Sequence, residues 1–110
     1  MIEETVQRIE ARIQGAETIP VERRAELLQL LATLKSEVAA LSPAHAEQAG
    51  SIAGFTDVST REATRSEPDP KLLELSLEGL SRSAQGFEAS HPRLMEAVGN
   101  LSRALANLGI

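Results

Sequence analysis

The fold is decided by residues 72–110, which read LLELSLEGLSRSAQGFEASHPRLMEAVGNLSRALANLGI. Apolar side chains recur in this stretch at alternating intervals of four and three residues, which is the heptad spacing of helices that pack side by side. We call this set the seam; it consists of Leu73, Leu77, Leu80, Ala84, Phe87, His91, Leu94, Val98, Leu101, Leu105 and Leu108. Burying apolar surface stabilises a protein by roughly 25 cal/mol per Å², and a stripe of this kind left in water would lack that stabilisation. The seam therefore predicts burial against other helices.

Length and composition predict a single all-α domain over residues 1–110. A chain of 110 residues with 42% hydrophobic content is long enough for one core and too short for two. Phe55 and Phe87 are the only aromatic residues, while unbranched and small side chains are abundant. That bias favours helices over sheets, which prefer β-branched and aromatic residues.

Charge and the missing residue types exclude several classes of function. The formal net charge is −5 and the basic residues are scattered, so we expect no nucleic-acid binding. The chain has no cysteine, which excludes disulfides and thiolate metal sites. No stretch approaches the ~18 apolar residues of a membrane span, and the first residues lack the pattern of a signal peptide. We therefore expect a cytoplasmic protein without a membrane partner.

The segments before and after a proline-rich turn predict a long antiparallel helical hairpin. Residues 2–15 form a short amphipathic helix, residues 20–64 the first arm, residues 65–70 the turn and residues 71–109 the second arm. The helices are broken or kinked at Pro43 and Pro92. The apolar phase continues through Pro43, which favours a kinked continuation there.

Residues 50–64 are the weakest helical segment, because glycines and threonines lower helix propensity. The residues from Ser59 to Glu62 resemble a capping box, so a new helix starting there is an alternative.

Pairing residues whose numbers sum to about 135 or 136 brings apolar side chains of the two arms to the same level. The same register pairs Pro43 with Pro92 and His45 with His91. Arms of ~40 residues would be ~60 Å long. One hairpin of this length would leave part of the apolar surface of its arms exposed to water. We therefore predict a homodimeric helical bundle. The alternative is a compact monomer broken at the prolines, with a radius of gyration of about 13 Å.

A second stripe on the second arm consists of small residues. Small side chains let a neighbouring helix approach closely, so this stripe predicts a contact with a helix or, less favoured, a ligand groove. As an interaction face for another protein, we select Ser76, Gly79, Ser83, Gly86 and Ser90. The helix at residues 2–15 is the other surface expected to bind a partner.

The paired histidines are the sharpest candidates for chemistry. His45, His91 and Glu88 at one level could hold zinc or a similar divalent ion. The favoured interpretation is a polar layer, in which each imidazole bonds a backbone carbonyl freed by the adjacent proline. The sequence contains no nucleophile elbow, phosphate-binding loop or metalloprotease motif, so we expect no enzymatic activity, no catalytic residue and no cofactor.

The C-terminal quarter resembles a family of short, uncharacterised bacterial proteins catalogued as a domain of unknown function. The resemblance lies in the run F-E-x-S-H-P-x-L, here Phe87 to Leu94, and in the ending L-A-N-x-G-I, here Leu105 to Ile110. It implies a bacterial cytoplasmic protein and supplies no activity or ligand. The sequence as a whole predicts a non-enzymatic, self-associating helical protein-interaction module. A bundle that binds a metal or small ligand through His45 and His91 is the alternative.

Overall fold

The structure is a computed structural model that describes residues 2–108, and within that range it consists of helices and short connections. The helices are α1 (Ile2–Gly15), α2 (Val21–Ala39), α3 (Ala46–Ala63), α4 (Pro70–Ala84) and α5 (Pro92–Leu108). Short 3₁₀ turns at Pro43–His45 and Gln85–Phe87 precede α3 and follow α4. The all-α prediction is confirmed. Gly109, which ends the predicted second arm, and Ile110, which ends the sequence signature, lie outside the described residues.

The helices pair as the hairpin predicts. The first arm comprises α2 and α3 and the second arm α4 and α5, with α2 packed on α5 and α3 packed on α4. Asp69 ends the turn and caps α4, because its Oδ1 accepts hydrogen bonds from the backbone N–H groups of Lys71 at 3.0 Å and Leu72 at 3.2 Å. The helix α1 lies against α2 and α3, and α4 also contacts α5.

Both arms are broken at their prolines, and the kinked continuation favoured at Pro43 is wrong. The helix α2 ends at Ala39, and the 3₁₀ turn that begins at Pro43 leads into α3. Proline has no N–H and its ring clashes with the carbonyl four residues earlier, which is that of Ala39 itself. Ser42 stabilises the break, since its Oγ accepts a hydrogen bond of 3.2 Å from the N–H of Ala44. In the second arm α4 ends at Ala84 and α5 begins at Pro92.

The breaks make the chain compact, and the ~60 Å rods predicted from an unbroken helical rise are wrong. The molecule measures 38 × 24 × 21 Å and has a radius of gyration of 13.0 Å. This is the value expected for a globular chain of this length. A single copy therefore buries a core contributed by all five helices. The largest fully buried apolar side chains are Ile9, Ile13, Leu27, Leu31, Ile52, Leu80, Leu94, Leu101 and Leu105.

The segment with the lowest helix propensity is helical as far as Ala63, and the alternative start at Ser59 is wrong. Thr56, Ser59 and Thr60 lie inside α3 and are completely buried. Each threonine hydroxyl donates to a carbonyl one turn earlier, Thr56 to Ile52 at 2.7 Å and Thr60 to Thr56 at 2.8 Å. These bonds satisfy the threonine hydroxyls within α3, so burial of α3 between its neighbours α1 and α4 overrides the weak propensity.

The described residues 2–108 contain no helix of the length and apolar character that crossing a bilayer requires.

Candidate functional site

The small-residue stripe is divided between an intramolecular contact and an exposed end. Ser76 is buried, and its hydroxyl donates to the Leu73 carbonyl at 2.8 Å. The ring of Phe55 lies directly over Gly79, so that a Cβ at this position would overlap with the ring. Ser83 is half-buried, whereas Gly86 and Ser90 are exposed. The first part of the stripe thus serves the close packing of α4 on α3, and the five residues do not form one free face.

A different surface of the α3–α4 pair exposes large apolar side chains. Phe55 is 39% exposed, Leu72 43% and Leu75 50%. Leu72 and Leu75 are one turn apart on α4, and Leu75 is one turn before Gly79, the residue that Phe55 covers. We call these three residues the apolar surface. Sequence reasoning overlooked Leu75. The available signal was that Leu72 and Leu75 are apolar, one turn apart and outside the seam.

Charged residues of both signs surround the apolar surface and are paired with one another. On α4, Lys71 Nζ lies 3.4 Å from Glu74 Oε1 and Arg82 Nε lies 3.6 Å from Glu78 Oε1. At the end of α3, Arg65 Nη1 lies 2.8 Å from Glu62 Oε1. That hydrogen bond to Glu62 raises the pKa of the Arg65 guanidinium, which stays charged. The rim therefore has no single sign that would select an acidic or a basic partner.

The structure brings His45 and His91 together, as the register predicts. Their ring centres are 6.4 Å apart, and both rings meet the buried Phe87 edge-on, at 5.1 Å from His45 and 5.3 Å from His91. The Nδ1 atom of His91 forms a hydrogen bond of 2.8 Å with Ser90 Oγ. This contact replaces the predicted bond from the His91 imidazole to a backbone carbonyl. The layer is an aromatic joint that connects the two broken arms.

Glu88, the third residue of the proposed metal site, is exposed. Across residues 2–108 no three histidine, aspartate or glutamate side chains are grouped in a way that could hold a metal ion. A site at this joint would thus have to rely on the two imidazoles.

Comparison with protein families gives a match over most of the chain. A family model described as "Domain of unknown function (DUF4404)" matches residues 27–110. The chain belongs to this family. The predicted resemblance to a family of unknown function is confirmed, and it extends well beyond the C-terminal quarter on which it was based. The DUF4404 match runs from Leu27 within α2 through α5, so α1 lies outside it. No curated protein and no solved structure matches the chain.

Proposed function

We propose that this DUF4404 protein is a non-enzymatic, cytoplasmic, self-associating helical module, in which the apolar surface of one copy contacts the same surface of another. The observation that carries the proposal is the continuity of Phe55, Leu75 and Leu72 across α3 and α4. Single exposed apolar residues are normal on protein surfaces, whereas adjacent ones indicate a contact site. An aromatic ring beside two leucines has the composition of the centre of an interface.

The size and surroundings of the surface support a weak, reversible contact. Stable interfaces bury about 800 Å² on each partner, and three partly exposed side chains cover only the centre of such an area. The rim carries the pairs Lys71–Glu74 and Glu78–Arg82, which are exposed and can exchange partners between copies. A two-fold contact brings identical rims together, so a rim of mixed sign avoids repulsion.

Replacing both leucines should abolish self-association through the apolar surface without unfolding the chain. In the double variant Leu72→Ser/Leu75→Ser we expect the average mass to stay that of a monomer over a concentration range in which the natural chain becomes heavier. Both side chains are only about half buried, so the free energy of unfolding should fall by no more than about 2–3 kcal/mol. Analytical ultracentrifugation measures the mass, and thermal unfolding measures the stability.

Val21 supplies the matched control, because it is 72% exposed and lies at the start of α2, outside the apolar surface. Val21→Ser should associate like the natural chain. The proposal is wrong if the natural chain stays monomeric at millimolar concentration, or if the double variant associates as strongly as Val21→Ser does.

Metal binding by the two histidines is a second candidate function, supported by the 6.4 Å separation of their ring centres. In the tautomer in which Nδ1–H of His91 donates to Ser90 Oγ, Nε2 of that ring is the metal-binding atom, and a ligating histidine commonly donates its other ring N–H in this way. Two imidazoles that share a zinc ion have ring centres about 5 Å apart, given Zn–N bonds of about 2.0–2.1 Å. Binding would thus need a small approach of the rings.

Zinc titration tests this second candidate. If the histidines bind zinc, an equimolar amount should raise the melting temperature of the untagged chain, and His91→Ala should remove the effect. Glu88→Ala is the control, because Glu88 is exposed and should contribute little. An unchanged melting temperature of the natural chain at millimolar zinc would reject metal binding at this joint.

A further inference from the structure

The helix α1 fills a groove between α2 and α3. Three side chains of α1 at helical spacing, Val6, Ile9 and Ile13, are buried there. The floor and walls of the groove are formed by apolar residues of α2 and α3 with one threonine and one lysine, Lys35. They include Leu31, Leu34, Val38, Ile52, Ala53 and Thr56. The contact is that of an amphipathic helix in an apolar groove, a recurring mode of recognition between proteins.

One ion pair connects α1 to the edge of this groove. Arg8 on α1 donates to Asp57 on α3, and Arg8 Nη2 lies 3.1 Å from Asp57 Oδ2. The Arg8 side chain is 58% exposed and that of Asp57 is 18% exposed. Neither residue belongs to the apolar core, and the charges at the two positions indicate which α1 lies in which groove.

The family match includes the residues of the groove and does not reach the helix that fills it. All the groove residues of α2 and α3 lie within the matched range 27–110, while α1 precedes that range. A helix of 14 residues is marginal alone in water, so α1 depends on a groove for its structure. Without α1, the apolar groove on α2 and α3 would be exposed to water. Without the groove, α1 would be only marginally helical.

Gly15, at the end of α1, is the residue at which the connection to α2 could change direction, and we call it the pivot. Gly15 ends α1, is exposed and has open space where a side chain would be. The following residues stay with α2, because Ile19 is buried and Arg24 Nη2 donates to the carbonyls of Ala16 at 2.9 Å and Ile19 at 3.3 Å. A rotation at Gly15 swings α1 away while leaving the α2–α5 unit intact.

We propose that this groove is a helix-binding site, which α1 fills within one chain and which α1 of a second copy fills when two chains exchange these helices. The exchanged form keeps every contact of α1 with the groove and changes only the pivot, so its population depends mainly on chain concentration. The proposal rests on the proposed self-association, but it uses a surface separate from Phe55, Leu72 and Leu75.

Charge reversal on the Arg8–Asp57 pair tests the exchange in the full-length chain. Two proteins are made, R8D and D57R, both in the Leu72→Ser/Leu75→Ser background so that no dimer can use the apolar surface. Within each protein the two charges repel. When α1 is exchanged between the two proteins, both pairs become attractive. The proteins are mixed in denaturant, refolded together at millimolar concentration and weighed by native mass spectrometry.

We expect the mixed dimer to be at least tenfold more abundant than either homodimer. A second mixture, of the R8D/D57R double variant and the chain with the natural Arg8 and Asp57, both in the Leu72→Ser/Leu75→Ser background, is the control. These two chains have the same composition and mass, so one of them is labelled with ¹⁵N. Each of these chains has an attractive pair of its own, whereas exchange between them creates repulsion, so this mixture should give no mixed dimer. The proposal is overturned if R8D and D57R refold as monomers only, or if their mixed dimer is no more abundant than the homodimers. If the natural chain self-associates, the Leu72→Ser/Leu75→Ser chain does not, and no exchanged dimer forms, then the proposed function stands and the exchange is rejected.

Discussion

Phe87→Ala is expected to lower the free energy of unfolding by about 3–5 kcal/mol, the usual cost of truncating a buried phenylalanine to alanine. For a domain of this size, this is a fall in melting temperature of at least about 10 °C. Phe87 is 4% exposed and contacts both His45 and His91 edge-on. Its ring therefore holds together the break between α2 and α3 and the break between α4 and α5. Denaturant unfolding followed by circular dichroism measures the loss.

The chain supplies its own control, because Phe55 is the only other phenylalanine and is 39% exposed. Phe55→Ala removes the same atoms from a surface position, over Gly79, and should cost much less, about 1 kcal/mol. Equal losses for the two variants would contradict the role of Phe87 as the joint between the broken arms.

The pairing of the arms could be predicted because it depends on the apolar spacing, which is the same whether a proline kinks a helix or ends it. The apolar spacing of four and three residues continues through Pro43 and Pro92, and it fixes which residues of the two arms lie at the same level. The pairing of α2 with α5, of α3 with α4 and of His45 with His91 follows from that register. Asp69 and Pro70 likewise predict the start of α4, because capping is local chemistry.

The overall shape could not be predicted, because it depends on whether a proline kinks or ends a helix. Both outcomes preserve the apolar phase, and the choice between them rests on local capping and tertiary packing. Near Pro43, the hydrogen bond from the Ala44 N–H to Ser42 Oγ and the 3₁₀ turn favour the break. The breaks shorten the molecule to 38 Å, so that one chain covers faces that a straight hairpin would leave exposed.

The candidate site was only partly predictable, for a related reason. The stripe containing Ser76 and Gly79 correctly indicates close helix packing, but the sequence does not say whether the neighbour is α3 of the same chain or a partner. The exposed pair Leu72 and Leu75 lies off the seam, and only the position of Phe55 over Gly79 makes it part of a continuous surface. Such a surface is created by tertiary contacts between helices, which single-helix periodicity does not contain.

Ile9→Ala should release α1 from its groove while leaving the rest of the bundle folded. Ile9 is completely buried, and its truncation should cost about 2–5 kcal/mol. Because α1 precedes the family unit and pivots at Gly15, this loss falls on the docking of α1 rather than on the contacts of α4 with α5. Hydrogen exchange measured by mass spectrometry on peptides from each helix should show α1 exchanging much faster, with α5 nearly unchanged.

Gln14→Ala is the matched control on the same helix, because Gln14 is exposed and its replacement should alter stability by less than about 0.5 kcal/mol. Phe87→Ala provides the opposite comparison, since loss of the joint should accelerate exchange in α5 as well as in α1. If Ile9→Ala speeds exchange in α1 and α5 equally, then α1 unfolds only together with the whole chain. The groove would in that case never open in the folded protein, and exchange of α1 between copies would have to proceed through complete unfolding.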